Sequence, residues 1–414
     1  MKTLHIIGGG LSALAAGVAA SGHGWNIILH EAAAQPGGRC RSFHDTSIGR
    51  MIDNGNHLVL GANRTTFDFL DTIGSRGELL GIEPAQIPFF DLRNNQQWTL
   101  KPGPPWWPLV PGRGIPYTTI SELIIASRLL LAGRNTTVDQ CLTKGRMFEL
   151  FFSSFTTSTL NIDPKYASAR LLAAIFRPLL FGGEKAYRPY VARYGLSQTF
   201  IDPAIKYIQA NGGIIRLSDR LRSIELADGR AVNLCFNKSH KKLDTDDRIV
   251  MAIPPQATAQ LLPALTLPLE SSAIVNAHYR LDKPIVLPGD MPLLGLIGGT
   301  AQWLFARQDV VSVTVSAANE LANQSTKEIS ELLWSDVARV LSMNTTPIPP
   351  HRIIKEQRAT FTQSPLEVRR RPSPNEAGIT NLVLAGDWTN TGLPATIEGS
   401  IRSGQTAISA LSSQ

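Results

Sequence analysis

The residues of this chain best suited to chemistry sit in glycine-rich turns, each flanked by a carboxylate or a base. Near the start, LHIIGGGLSALAAG places Gly8 and Gly10 at the first two positions of a G-x-G-x-x-G/A spacing, with Ala13 at the third. Turns without Cβ let backbone N–H groups reach a pyrophosphate, and a helix opening at Leu11 and Ser12 presents the positive end of its dipole there. Glu31 closes a second apolar run, Trp25 to Leu29, about twenty residues on, where a carboxylate can hold a ribose hydroxyl. Strand, helix, strand and acid in that order predict a dinucleotide site.

The next turn narrows the choice. In PGGRCRSF, Gly37, Gly38, Arg39 and Arg41 follow the ribose acid closely. This arrangement resembles the flavoprotein family of amine oxidases, protoporphyrinogen oxidases and carotenoid desaturases, so the resemblance makes the cofactor FAD. It implies that the Gly-Gly-Arg loop runs along the pyrophosphate and ribityl chain. It also implies that Asp53, Asn54, Gly55, Asn56 and His57 form a turn beneath the flavin ring, and that the backbone of Leu221 meets adenine. At the C-terminal end, Gly386 and Asp387 would bind the ribityl or pyrophosphate region. The amides of Ala395, Thr396 and Ile397 would aim a helix N-terminus at the negative charge of reduced flavin.

Four further runs, LFGG, GGTAQWLF, RATF and LAGDWTNTGLPATIEGSIRSGQ, resemble the squalene-associated FAD-dependent desaturases, understood as hydroxysqualene dehydroxylases, over essentially the full chain. The departures are Ala13 in place of the third glycine and a polar stretch, Asn237 to Asp247, read as a surface insertion. The resemblance implies reductive loss of an allylic hydroxyl from hydroxysqualene, giving squalene, with an unidentified reductant recharging the flavin. Asn56 and His57 would face the reacting centre. The proton donor would be His57, Tyr194 or a bound water, with His57 first. Alternatives are an isoprenoid desaturase, an amine-oxidase-like oxidoreductase, or a flavin-bearing docking partner without catalysis of its own.

Composition sets the bounds. The chain has 414 residues, enough for two cored domains, and a net charge of +7 with no basic stripe interleaved with aromatics, which argues against nucleic acid. Its three cysteines, Cys40, Cys141 and Cys235, are scattered and lack a C-x-x-C spacing, so neither a disulfide framework nor a metal site is expected. No run approaches the roughly eighteen apolar residues of a membrane span, and the first strand starts too early for a signal peptide. A cytoplasmic protein is expected, with peripheral contact to the cytoplasmic membrane left open.

The elements that must position these residues define an α/β fold. A Rossmann-like FAD-binding domain over 1–75, 196–258 and 376–414 is expected to carry an inserted α+β substrate domain over 76–195 and 259–375. Within it, Phe89 to Leu100 reads as a hairpin about Asn94-Asn95, and Met147 to Leu180 as mainly helical with a stop at Gly182-Gly183. Leu293 to Gly299 and Val310 to Ser316 read as strands joined by a turn holding Gly298 to Arg307. In 101–133 prolines delay any regular element until Tyr117, after which Ser121 can cap a short apolar helix. Trp106 and Trp107 there suit either the lipid–water interface or an internal lid.

Overall fold

Leu4, Ile6, Leu29, Ile249, Val250 and Val383 are fully buried, and their strands pair side by side with every register parallel. In the computed structural model, which describes residues 2–103, 107–142, 144–343 and 347–412, they form a five-stranded sheet. Its order is Ile214–Arg216, Asn26–His30, Thr3–Ile7, Arg248–Met251, Leu382–Leu384. Such near-continuous apolar strands need cover on both faces. The helix Leu11–Ala20 supplies part of it and packs on Ile397–Ser412 so closely that a Cβ on Gly404 would collide with the Ser12 carbonyl oxygen. Glu398, in the first turn of that last helix, accepts hydrogen bonds from the Thr65 and Thr66 amides at 3.2 and 2.8 Å. It thereby caps the helix Arg64–Thr72, whose first amides have no partner within their own helix.

A second sheet draws on other parts of the chain. Its seven strands run in the order His351–Phe361, Ser271–Arg280, Val310–Val315, Trp303–Arg307, Leu293–Ile297, Ile87–Asp91, Gln96–Leu100. The hairpin about Asn94-Asn95 is present as expected. Trp303–Arg307, however, is a strand paired on both sides rather than part of a turn, because Gly298 to Gln302 complete the reversal. One face of this sheet is covered by the helix Thr326–Val340 through Ile329, Leu333, Trp334 and Val337. Against Phe89, Leu293 and Trp303 packs a helical layer built from residues 120–187.

Three local expectations are corrected. The short apolar helix is Ile120–Ser127, capped by Thr119 rather than Ser121, since Glu122 at the third helical position completes a reciprocal capping box with Thr119. Helical structure continues past Gly182-Gly183 to Tyr187, with a break in backbone angles at Gly183, φ 62°. The stretch Asn237 to Asp247 is not simply a loop, because His240–Lys242 adds an edge strand to the antiparallel sheet of Leu221–Ala227 and Arg230–Phe236.

Candidate active site

The first glycine turn and the Gly-Gly-Arg turn are bonded to each other. Gly37 donates to the Gly9 carbonyl at 2.8 Å, and Gly10 and Gly37 form a parallel bridge. Gly8 has φ +115°, and a Cβ there would strike the Ala252 carbonyl oxygen, so the crossing of strand and turn admits no side chain. Gly10 differs: a Cβ there would meet nothing within 4 Å. It faces a cavity of about 1630 Å³ lined by both turns. The helix behind begins with Gly10 as an N-cap that offers no side-chain acceptor, which leaves its first amides to a ligand. Glu31 bounds the same space, its carboxylate accepting from the Gly9 and Ala33 amides at 2.6 and 2.7 Å.

The C-terminal loop closes the opposite wall. Arg39 reaches it, pairing with Asp387 at 2.8 Å and donating to the Ala359 carbonyl. Gly386, Asp387, Ala395, Thr396 and Ile397 all line the cavity. Thr396 caps the last helix by accepting from the Gly399 amide at 3.2 Å. The Ala395 amide is unavailable to a ligand, because it donates to the buried Gln363 side chain at 2.9 Å. The Thr396 and Ile397 amides have no hydrogen-bond partner among the described residues. A cradle with an open glycine, two free helix N-termini and a carboxylate at one end fits a dinucleotide with an attached ring.

Asn54, Gly55, Asn56, His57 and Leu221 also line the cavity. Asn56 donates to the Thr314 hydroxyl at 3.0 Å, Thr314 to Asn276 at 2.8 Å, and Asn276 back to the Asn54 carbonyl at 3.3 Å. This polar strip ties the loop 54–57 to two neighbouring strands of the seven-stranded sheet at the cavity wall. Asp53 works behind it, accepting from Ser42, the Leu196 amide and Arg307 at 2.5, 2.9 and 2.7 Å. His57 has no hydrogen-bond partner among the described residues, and burial with the nearby Arg39 charge pulls its pKa down to about 4. It is therefore a neutral imidazole at neutral pH, able to donate one N–H or accept one proton.

Two expected residues stand elsewhere. Tyr194 is 55 % exposed and does not line the cavity, because the chain turns outward after the strand Pro189–Ala192. Ala13 does not line it either; it is fully buried within the first helix, where a small side chain serves packing. Asn276 and Thr314 were missed by sequence reasoning. Their one signal is a polar residue within the apolar strand runs SSAIVNAHYR and VVSVTV.

Beyond the polar strip the wall becomes aromatic and aliphatic. Phe148–Phe152 form one π-helical turn, which brings both Phe151 and Phe152 to the cavity. Phe155, Phe176, Trp303 and Phe305 complete this part of the lining. The Phe151 and Phe155 rings stack at 5.0 Å, and Phe155 meets Phe176 at 5.2 Å. Trp303 donates to Ser158 at 2.7 Å, so its indole N–H is satisfied and its ring is presented as apolar surface. Sequence composition pointed to an apolar pocket, but not to the turn that aims consecutive phenylalanines the same way.

Beneath the ribose end lies a buried relay. His5 meets His30 at 3.1 Å, and His30 meets the Asp219 carboxylate at 2.8 Å. Burial pulls His5 down to about 4, and its Nε2 has no partner; His278, hydrogen-bonded to Ser312 at 2.7 Å, is pulled down to about 4 in the same way. Among the described residues no cluster of histidine, cysteine or acidic side chains is arranged to hold a metal.

Comparison with known proteins follows this geometry. The family model described as flavin containing amine oxidoreductase matches residues 11–410. A hydroxysqualene dehydroxylase of Sinorhizobium fredii is 39% identical over 410 residues, covering 98% of this chain and 97% of that protein. One from Rhodopseudomonas palustris is 38% identical over 411 residues, covering 98% and 97%. Putrescine oxidase bound to putrescine superposes with a TM-score of 0.73 at 14% identity, covering 100% of this chain and 99% of that one, a likeness of fold alone.

Proposed function

The chain belongs to the hydroxysqualene dehydroxylases within the flavin-containing amine oxidoreductases, and we propose that it carries out FAD-dependent reductive dehydroxylation of hydroxysqualene to squalene. The observation that carries this reading is the continuity of one cavity from the glycine cradle, past the polar strip, to the aromatic wall. One end suits a dinucleotide and the other a long isoprenoid, with polar groups between them for a hydroxyl. Substrate and product differ by replacement of a C–OH bond with a C–H bond, which consumes a hydride equivalent and a proton and releases water. Bound reduced FAD supplies the hydride equivalent. The phenylalanines and Trp303 exclude water and hold the chain. Cradle contacts fall to Gly8, Gly10, Leu11, Ser12, Glu31, Gly37, Gly38, Arg39, Leu221, Gly386, Asp387, Thr396 and Ile397.

His57 is assigned the transfer of a proton to the departing hydroxyl, its N–H proton leaving as its second nitrogen takes one up from water so that the ring stays neutral, with Asn56 held beside it by Thr314. A neutral imidazole N–H is a hydrogen-bond donor at this atom, and a glutamine retains a donor where a phenylalanine does not. His57→Phe is expected to lower kcat by about 10²–10⁴-fold with KM little changed, and His57→Gln by less. The assay is anaerobic mixing of photoreduced protein with hydroxysqualene, followed by flavin absorbance and extraction of squalene. Reduced flavin that persists with no squalene formed would overturn the function. Wild-type turnover in His57→Phe would remove only the proton donor.

The segment 107–131 supports contact with a membrane surface. Leu123, Ala126 and Leu129 line the cavity, while Ile120 and Ile124 are each 64 % exposed and Leu131 is 87 % exposed. A helix apolar on both faces at a cavity wall needs a second apolar surface, and the exposed Arg113, Arg128 and Arg134 flank it with positive charge. Trp107 plays no part, being buried edge-on against Tyr187, and Trp106 lies outside the described residues. Among the described residues no helix is long and apolar enough to cross a membrane. Ile120→Asp with Ile124→Asp is expected to abolish co-sedimentation with vesicles containing phosphatidylglycerol; unchanged sedimentation would assign the exposed face another role. The domain limits at 75, 195, 258 and 375 belong to the same reading. They leave each large sheet whole, while the small sheet of Val59–Leu60, Leu79–Gly81 and Pro189–Ala192 straddles the first of them.

A further inference from the structure

Three arginines follow one another at 369–371, and the third turns inward. Arg369 bonds Asn135 and Arg370 pairs with the buried Glu367, and both arginines are exposed, whereas Arg371 is 5 % exposed. Its guanidinium donates to the carbonyls of Thr389, Leu393 and Asp387 at 2.8, 2.8 and 3.1 Å, and to the Thr391 hydroxyl at 2.9 Å. Its fifth contact is the Phe361 ring, 5.2 Å from the guanidinium carbon. All four hydrogen bonds fall on the single loop that links Leu382–Leu384 to the last helix.

The charge balance is uneven. None of these acceptors is a carboxylate, and the nearest acid, Asp387, gives its side chain to Arg39 at 2.8 Å. Burial pulls Arg371 down to about 10, still well above neutrality, so the group remains charged. Arg371 itself does not line the cavity, but Asp387, Leu393 and Phe361, which it contacts, all do. A buried cation bound to neutral dipoles acts on its surroundings with little screening.

We propose that Arg371 is a positioning residue that sets the electron affinity of the bound flavin: it fixes the Asp387–Leu393 loop and places a buried positive charge behind the wall that takes the flavin ring. Positive charge there favours the reduced, anionic form of the cofactor, which the dehydroxylation consumes. The two free amides at Thr396 and Ile397 act in the same direction from the adjoining helix end. The proposal rests on the reading of this loop as part of the flavin cradle.

The test measures the flavin midpoint potential against a reference dye, together with the affinities for oxidised and reduced FAD. Arg371→Met is expected to weaken binding of the reduced form at least tenfold more than the oxidised form, which is a potential lower by about 30 mV for a two-electron couple. Arg371→Lys keeps the charge and loses the fork, so at neutral pH it is expected to hold the potential while weakening both forms equally. A wild-type potential in flavin-loaded Arg371→Met overturns the proposal. Should the methionine variant fail to fold, the lysine variant decides. Its potential is expected to fall below wild type as rising pH discharges the lysine, and a curve parallel to wild type up to about pH 9, where Arg371 itself is still charged, overturns the proposal equally. Asp387→Asn separates the two layers. Tenfold or greater loss of FAD affinity in that variant supports the cradle, and unchanged affinity removes the cradle reading and the proposal together.

Discussion

Gly8→Ala is expected to leave little folded protein, whereas Gly10→Ala, two residues away, is expected to leave a folded protein without flavin. At Gly8 the backbone has φ +115°, and the new Cβ would press on the Ala252 carbonyl oxygen, which is fixed by its place after the strand Arg248–Met251. Backbone strain of about 1–3 kcal/mol adds to a similar overpacking cost, a large part of the stability of an ordinary domain. At Gly10 the angles, φ −77° and ψ 177°, suit any residue, and the Cβ meets nothing within 4 Å. It enters the space left for the pyrophosphate. Thermal melts and the flavin-to-protein absorbance ratio of the two purified variants separate the cases. Equal flavin content in Gly10→Ala and wild type would show that the cradle lies elsewhere.

Acid is expected to unfold the protein well before its carboxylates titrate. His5, His57 and His278 are each held at about 4, below the ordinary value near 6.5. Between those limits the unfolded chain binds more protons than the folded one, so this contribution is complete above about pH 6.5 and is lost as pH falls toward about 4. His5 and His278, both almost wholly buried, together set a slope approaching 3 kcal/mol per pH unit, at about 1.4 kcal/mol for each proton. Urea midpoints of the flavin-loaded protein at pH 8, 6 and 5 measure it, and His278→Gln is expected to flatten the fall. Midpoints that do not change between pH 8 and 5 would mean that these histidines take up protons in the folded state.

What could be read from the sequence, and what could not, divides along physical lines. The first glycine turn, Glu31 and the Gly-Gly-Arg turn act through backbone geometry within about thirty residues of each other, and spacing records that directly. The helix beginning at Ile397 was legible for the same reason, since Pro394 and Thr396 mark its start. Tyr194 was misplaced because the direction in which a chain leaves a short strand is a tertiary property. The strip Asn56–Thr314–Asn276 was invisible because Asn276 and Thr314 are cross-strand partners in one sheet while Asn56 comes from a loop far earlier in the chain, so the three meet only in the folded protein. Trp303 was assigned to a turn since two glycines precede it; strand pairing on both sides overrode that local signal. Gln363 and the Ala395 amide show the finest limit, where one buried amide side chain removes a donor that sequence logic had offered to the ligand.

The docking of Ile397–Ser412 against Leu11–Ala20 also bears on how the protein is made. The cradle begins with residues 8–10 and is finished by the Thr396 turn, so residues 11–395 are all synthesised between its two halves. At roughly 5–20 residues per second the fingerprint waits tens of seconds for its other half. Through that interval the first helix has an uncovered apolar face, and from its own synthesis until Leu382–Leu384 follows, the strand Arg248–Met251 has an open edge; both are aggregation-prone surfaces. A complete cradle is thus expected only once residue 397 has been made, and a fragment that stops short of it is expected to purify without flavin.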